Sequence, residues 1–159
     1  MKKISIRRIE SSDTQILAEF IYLAIFVPPG VAPLPKETIY KPEIYIYIKD
    51  FGKPGDCGFA AEENGVAVGA AWARTIPGYG HVDDETPELA ISVLPEHRGQ
   101  GIGTVLLQEL LASLKKQGYR QTSLSVQKAN PAARLYQRLG YNIIHESPEE
   151  FIMVKKLCE

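Results

Sequence analysis

Arg98-Gly99-Gln100-Gly101-Ile102-Gly103-Thr104 follows the apolar run Leu89-Ala90-Ile91-Ser92-Val93 and opens a strongly periodic segment. The order is strand, glycine-rich turn, helix N-terminus. Glycine at alternate positions lets the backbone approach a ligand with no Cβ in the way. The first helical turn beyond it offers unpaired N–H groups and the positive end of the helix dipole. Together these suit an anion, most naturally a phosphate. A plain glycine turn joining two packed elements would look the same in this stretch alone.

The pattern is not that of a dinucleotide site, which needs Gly-x-Gly-x-x-Gly within a βαβ unit. Counted from Gly99 or Gly101, the third glycine falls on Thr104 or Leu106. The next strand, Thr122 to Val126, runs into Gln127 and Lys128, with no acid to hold a ribose. A Gly-x-x-x-x-Gly-Lys-Ser/Thr phosphate loop is also absent from the sequence.

The outer limits are ordinary. At 159 residues the chain suits one domain around one sizeable core. Hydrophobic residues make up 45% and charged residues 23%, as in a soluble globular protein. A formal net charge of -1 gives no electrostatic case for nucleic acid or an acidic membrane. Cys57 and Cys158 have neither metal spacing nor a disulfide framework, and His81, His97 and His145 are scattered, so no metal is expected. Met1-Lys2-Lys3 is basic, but Ile4 to Arg8 is no apolar signal core. The longest greasy run, Ile16 to Val27, contains Glu19 and is too short to span a bilayer. A soluble, cytoplasmic chain is the expectation.

Working outward, Lys2 to Ile9 alternates as a half-buried strand. Ser11-Ser12-Asp13 supplies caps for a buried helix to about Phe26. From Val27 to Pro42, Pro28, Pro29, Pro33, Pro35 and Pro42 with Gly30 forbid a continuous helix or a central strand. Pro42 to Phe51 alternates like a strand, yet its flanking Pro42 and Gly52 suit a helix. Gly58 to Glu62 and Val66 to Thr75 form a hairpin around Asn64-Gly65. Small residues in its second arm, Ala67 to Ala73, imply close packing against a helix. That helix carries Ile102, Leu106, Leu110 and Leu114 at spacing four and closes at Gly118. A strand from Gln121 to Val126 follows, then a short helix with Asn130 as cap, Pro131 at its first position and Gly140 at its end. Strands from Tyr141 to His145 and Phe151 to Lys156 complete the chain.

Arg98-x-x-Gly101-x-Gly103, preceded by Val93-x-Pro95, resembles the coenzyme A signature of the GNAT superfamily of acyl-CoA-dependent N-acyltransferases. Asn130-Pro131-Ala132-x-Arg134-Leu135-Tyr136-x-x-Leu139-Gly140-Tyr141 is similar to the segment after the fifth strand in that superfamily. The resemblance implies a single domain over residues 1–159 of α+β class, with a mixed, mostly antiparallel twisted sheet of about seven strands and helices on both faces. It settles Pro42 to Phe51 as a helix and implies a substrate-facing role for the proline-rich segment, whose other reading is a rigid connector.

The resemblance also implies a cofactor site. The fourth and fifth strands splay, and the pantetheine arm of acetyl-CoA pairs with backbone at Ile91, Ser92 and Val93. The pyrophosphate sits on the N–H groups of Gly99, Gln100, Gly101, Ile102, Gly103 and Thr104, and Arg98 supplies charge or shapes the loop. Asn130 reaches the cofactor or is a plain cap. Transfer to an amine needs the ammonium, near pKa ~10, to lose a proton. Glu88 is the candidate base, its other reading being a strand-end surface carboxylate. A backbone N–H near Val93 or Leu94 meets the oxyanion. Tyr136 protonates the thiolate, or packs in the core with Ala132, Leu135 and Leu139.

The expected function is N-acetyl transfer from acetyl-CoA to an amine of a small molecule or peptide, by direct attack in a ternary complex. A non-catalytic acyl-CoA sensor is the alternative, and a dinucleotide module a distant third. Tyr40, Tyr45, Tyr47, Trp72 and Tyr79 either line an aromatic acceptor pocket or belong to the core. The acceptor and the oligomeric state, a dimer included, are not legible.

Overall fold

Alternation of Ile4 and Ile6 with polar neighbours builds β1 (Ile4–Arg8) in the computed structural model, which describes residues 3–158. Lys2, the first residue of the expected strand, lies outside the described residues. β2 (Cys57–Glu63) and β3 (Val66–Arg74) form the expected hairpin. Asn64 and Gly65 take φ values of 53° and 79° at its turn, the left-handed pair that matches strand twist. β4 (Glu88–Val93), β5 (Gln121–Gln127), β6 (Asn142–Glu146) and β7 (Glu150–Lys156) complete a seven-stranded sheet of order β1-β2-β3-β4-β5-β7-β6. Neighbours are antiparallel except β4 and β5, which run parallel and meet in register only at Glu88 and Ser123.

α1 (Thr14–Ala24) covers one face, where Leu17, Phe20 and Ile21 pack on Ala60, Ala70 and Trp72. α3 (Ile102–Lys116) covers the other, burying Ile102, Leu106, Leu107, Leu110, Leu111 and Leu114. Burying each such side chain contributes about 1.5–3 kcal/mol, so this stripe fixes the helix to the sheet. The small residues of β3 serve that contact: a Cβ on Gly69 would stand 3.1 Å from Leu106 Cδ1. α4 (Ala132–Arg138) follows β5 on the α3 face. None of the described helices is long and apolar enough to cross a membrane.

Two local expectations need correction. The helix expected over Pro42–Phe51 is α-helical only as α2 (Pro42–Tyr45) and continues as turns to residue 50. The cause is Arg74, whose Nη1 donates to the carbonyls of Ile46 and Lys49 at 3.0 and 2.7 Å. A salt bridge to Asp56 at 3.1 Å holds that buried guanidinium in place. α1 stops at Ala24, and Asp13 does not cap it through its side chain. Its carboxylate instead accepts from Arg7 and from the Glu10 N–H. Of the two readings open for Trp72, pocket or core, the structure gives core, its Nε1 donating to the Tyr47 carbonyl at 2.9 Å.

Candidate active site

Beyond Glu88 and Ser123, β4 and β5 diverge, and the gap opens into a cleft of about 1100 Å³. Backbone polarity along a strand alternates, so the direction of one bond sets the rest. The Leu94 N–H donates to Val68 on the β3 side at 2.9 Å. The N–H and carbonyl groups of Ile91 and Val93 therefore face the gap, while those of Ser92 face β3. This corrects one expectation and decides another: Ser92 has no backbone free for a partner strand, and of Val93 and Leu94 it is Leu94 that has no N–H free for an oxyanion. The Ser92 side chain is committed as well, its hydroxyl donating to the Phe20 carbonyl at 2.6 Å.

The glycine turn sits at the end of this gap. Pro95–His97 form a single 3-10 turn. His97 Nε2 lies 3.2 Å from Glu63 Oε2, and Arg98 Nε donates to the Val93 carbonyl at 3.0 Å. These tie the turn to the β2–β3 hairpin and to the end of β4. Gly99 and Gly101 take φ values of 76° and 83°, left-handed backbone that a side chain makes costly. The first helical bond of α3 runs from Val105 to the Gly101 carbonyl, so the N–H groups of Ile102, Gly103 and Thr104 have no partner within the helix. Arg98, Gly99, Gly101, Ile102, Gly103 and Thr104 all line the cleft. Gln100 is exposed and does not. The loop thus offers unpaired N–H groups, a helix N-terminus and a nearby guanidinium, which fit a phosphate.

On the opposite side, α4 contributes Tyr136, and Asn130 precedes it. Asn130 Oδ1 accepts from the Ala132 N–H at 2.9 Å, so the residue caps the helix. Tyr136 is 8% exposed, stacks edge-on against Tyr141 at 5.9 Å and also lines the cleft. Burial among apolar groups pushes its phenol up to about 12. Arg138, in the last turn of α4, lines the cleft too, and sequence reasoning did not single it out.

Glu88 is not a surface carboxylate. It is 2% exposed, and desolvation raises its pKa above the usual value, partly offset by hydrogen bonds from Tyr47, Gly80 and Gly78. It does not itself line the cleft, whereas Tyr47 and Tyr79 do. Tyr40 is exposed and stacks on Tyr45 at 5.5 Å, so the aromatic set divides into cleft, surface and core. Pro33 and Leu34 from the proline-rich segment reach the cleft, and the Leu34 carbonyl accepts from the Tyr22 hydroxyl. With Leu23, Phe26 and Ile44 they give this end apolar walls.

Comparison with known proteins agrees with this geometry. A model of the acetyltransferase (GNAT) family matches residues 22–141. The chain is 34% identical over 80 residues to the ribosomal protein bS18-alanine N-acetyltransferase of Haemophilus influenzae, a match covering 50% of this chain and 51% of that protein. It is 32% identical over 94 residues to the L-amino acid N-acyltransferase MnaT of Escherichia coli, covering 56% and 52%. The chain thus spans about half the length of these two relatives. In fold it is similar to the PaiA N-acetyltransferase of Thermoplasma acidophilum in complex with coenzyme A, with a TM-score of 0.68 and 21% identity over 97% of this chain and 99% of that one.

Proposed function

The chain belongs to the acetyltransferase (GNAT) family, and we propose that it transfers the acetyl group of acetyl-CoA to a primary amine of a small molecule or peptide. The observation that carries the reading is the single registered pair between β4 and β5, beyond which the strands part toward an anion-binding turn. A gap with free backbone on one side and unpaired helix N–H groups at its end is what an extended arm with a pyrophosphate requires. The acceptor enters from the opposite end, between the apolar walls of residues 23–34 and the rings of Tyr47 and Tyr79. The cytoplasm, where acetyl-CoA is made and used, is the expected compartment.

In the reaction the acceptor amine forms a bond to the thioester carbonyl carbon and the C–S bond breaks. Of the two N–H groups weighed for the oxyanion, only that of Val93 is left facing the gap, and it is assigned this role. At neutral pH the Tyr136 phenol keeps its proton, because burial holds its pKa near 12. Outright transfer to a thiolate of pKa near ~8.5 is uphill by several kcal/mol. Tyr136 therefore acts first as a hydrogen-bond donor to the developing thiolate, and its own proton is replaced from the amine nitrogen as the intermediate collapses. The Ile91 and Val93 backbone, the 99–104 turn and Arg98 hold the cofactor, with the Asn130 amide and Arg138 beside them.

The test is acetyl-CoA consumption against a panel of amines, amino acids, peptides and aminoglycosides, with calorimetry of acetyl-CoA alone. The expected result is tight binding plus steady turnover with at least one amine class. Binding with no turnover across the panel would leave an acyl-CoA sensor in place of an enzyme.

A further inference from the structure

Glu88 cannot meet an acceptor amine directly. Its carboxylate is buried and outside the cleft lining, and both oxygens are already occupied. Oε1 accepts from the Gly78 N–H at 2.9 Å, and Oε2 from the Gly80 N–H at 3.1 Å and the Tyr47 hydroxyl at 2.6 Å. The loop over it is closely packed: a Cβ on Gly78 would stand 2.8 Å from Glu88 Oε2, and one on Gly80 2.8 Å from the Leu124 backbone. Tyr47 is placed differently. It lines the cleft, donates to Glu88, and accepts from the Tyr79 N–H at 2.9 Å. A phenolic oxygen has two acceptor lone pairs. The Tyr79 N–H takes one, and the Gly80 N–H, whose bond at 3.1 Å goes to Glu88 Oε2, also faces this oxygen, so a donor in the cleft shares the second position with Gly80.

We infer that Tyr47 relays a proton from the acceptor ammonium to Glu88, an inference that rests on the amine acetyltransferase reading above. An ammonium N–H bond breaks and its proton goes to Tyr47 Oη, while the Tyr47 O–H proton passes to Glu88 Oε2. The amine gains its lone pair, the phenol is neutral before and after, and the carboxylate becomes an acid that gives up its proton through Tyr47 to water entering the cleft once the products have left. Burial disfavours a free Tyr47 phenolate, so the two transfers are concerted. Tyr47 is held for the task by its backbone, whose carbonyl accepts from Trp72 Nε1.

Other titratable groups face this pair. His81 lies on the Glu88 side, Tyr79 lies over the Tyr47 hydroxyl, and Glu43 and Glu150 face Tyr79. Arg74, opposite Glu88 on β3, is engaged by Asp56. All of them are the same in wild type and in a Tyr47→Phe variant, so the difference between the two isolates the hydroxyl.

The experiment is the pH dependence of kcat/KM for wild type, Tyr47→Phe and Glu88→Gln, each with its melting temperature and acetyl-CoA affinity. Without a relay only the free amine reacts, about one part in 10³ at pH 7 for a pKa near ~10. Tyr47→Phe should lose about 10²–10³-fold at pH 7, and the deficit should shrink by roughly tenfold per pH unit as the acceptor's pKa is approached. Glu88→Gln should show the same profile, and the double variant should be no worse than either single one. A deficit that stays constant with pH, or activity within about threefold of wild type at pH 7, overturns the relay and leaves Tyr47 as a tie for the 76–82 loop. The wild-type arm separates the two readings: turnover beside a normal Tyr47→Phe profile sinks the relay alone, whereas acetyl-CoA binding without turnover sinks both.

Discussion

The two ends of the cleft are built in opposite ways. The proposed cofactor end draws mainly on one contiguous stretch, residues 91–104, with Asn130 and Arg138 beside it, and presents mostly backbone: the edge of β4, two left-handed glycines and the first turn of α3. The proposed acceptor end is assembled from side chains far apart in sequence, with Leu23 within α1 and Phe26 after it, Leu34 in the proline-rich segment, Ile44 and Tyr47 around α2, and Tyr79 before β4. Backbone serves a ligand that does not vary, since N–H groups and a helix dipole are offered whatever the surrounding side chains. Side-chain walls serve a ligand that must be told from its analogues, and apolar walls do this weakly, about 1–3 kcal/mol per methylene. The difference predicts that variants at one end leave binding at the other nearly untouched.

After Tyr47→Phe, the largest effect tests the place where the ends meet. Tyr136→Phe keeps the ring and its contact with Tyr141, so stability and acetyl-CoA affinity should barely move. Loss of the hydrogen bond to the leaving thiolate should lower kcat by about 10²-fold, the low end for general acid catalysis. Stopped-flow or steady-state turnover with a competent amine decides it, and full activity would return Tyr136 to the core alone.

A smaller effect is expected at the cofactor end. Val at Gly101 would stand in left-handed backbone, at a cost of about 1–2 kcal/mol for a residue with a Cβ. Nothing in the protein lies within 4 Å of that Cβ, so the strain is conformational and the chain should still fold. We expect about a tenfold weaker acetyl-CoA affinity by calorimetry with an unchanged acceptor KM. An equal rise in the acceptor KM would break the comparison.

The smallest effect is expected at the acceptor end. Replacing Val31 to Pro35 with a Gly/Ser segment removes the Pro33 and Leu34 side chains but keeps a backbone carbonyl for Tyr22. The acceptor KM should rise about three- to tenfold, consistent with losing one or two partly buried apolar contacts. Acetyl-CoA affinity should stay within about twofold of wild type. Equal losses on both ligands would make the segment a structural strap rather than a wall.

Legibility in the sequence follows the same division. Gly99 and Gly101 were readable because a left-handed backbone is a local demand that glycine meets. The α4 caps were readable for a similar reason, since Asn130 satisfies an N–H two residues away. Spacing and side-chain size alone encode the helix–sheet contact, through the stripe from Ile102 to Leu114 and the small residues of β3. The α1 cap misled, because Asp13 found a stronger partner in Arg7, a residue of another element. The extent of helix after Pro42 was equally out of reach: it depends on Arg74, far along the chain, donating to the Ile46 and Lys49 carbonyls.

By itself, then, the sequence determined the strand–turn–helix suited to an anion, the order of the elements and the family they resemble, because each depends on backbone preference or on periodicity within a few residues. Only the tertiary structure decided that Ser92 and Leu94 have no backbone to spare, that Glu88 is buried behind Tyr47, and that Tyr47 rather than Trp72 faces the cleft. Those facts depend on the β3–β4 register and on which face of the sheet α1 and the residues after Pro42 cover. Desolvation and hydrogen-bond pairing are properties of neighbours brought together by folding, and no spacing along the chain encodes them.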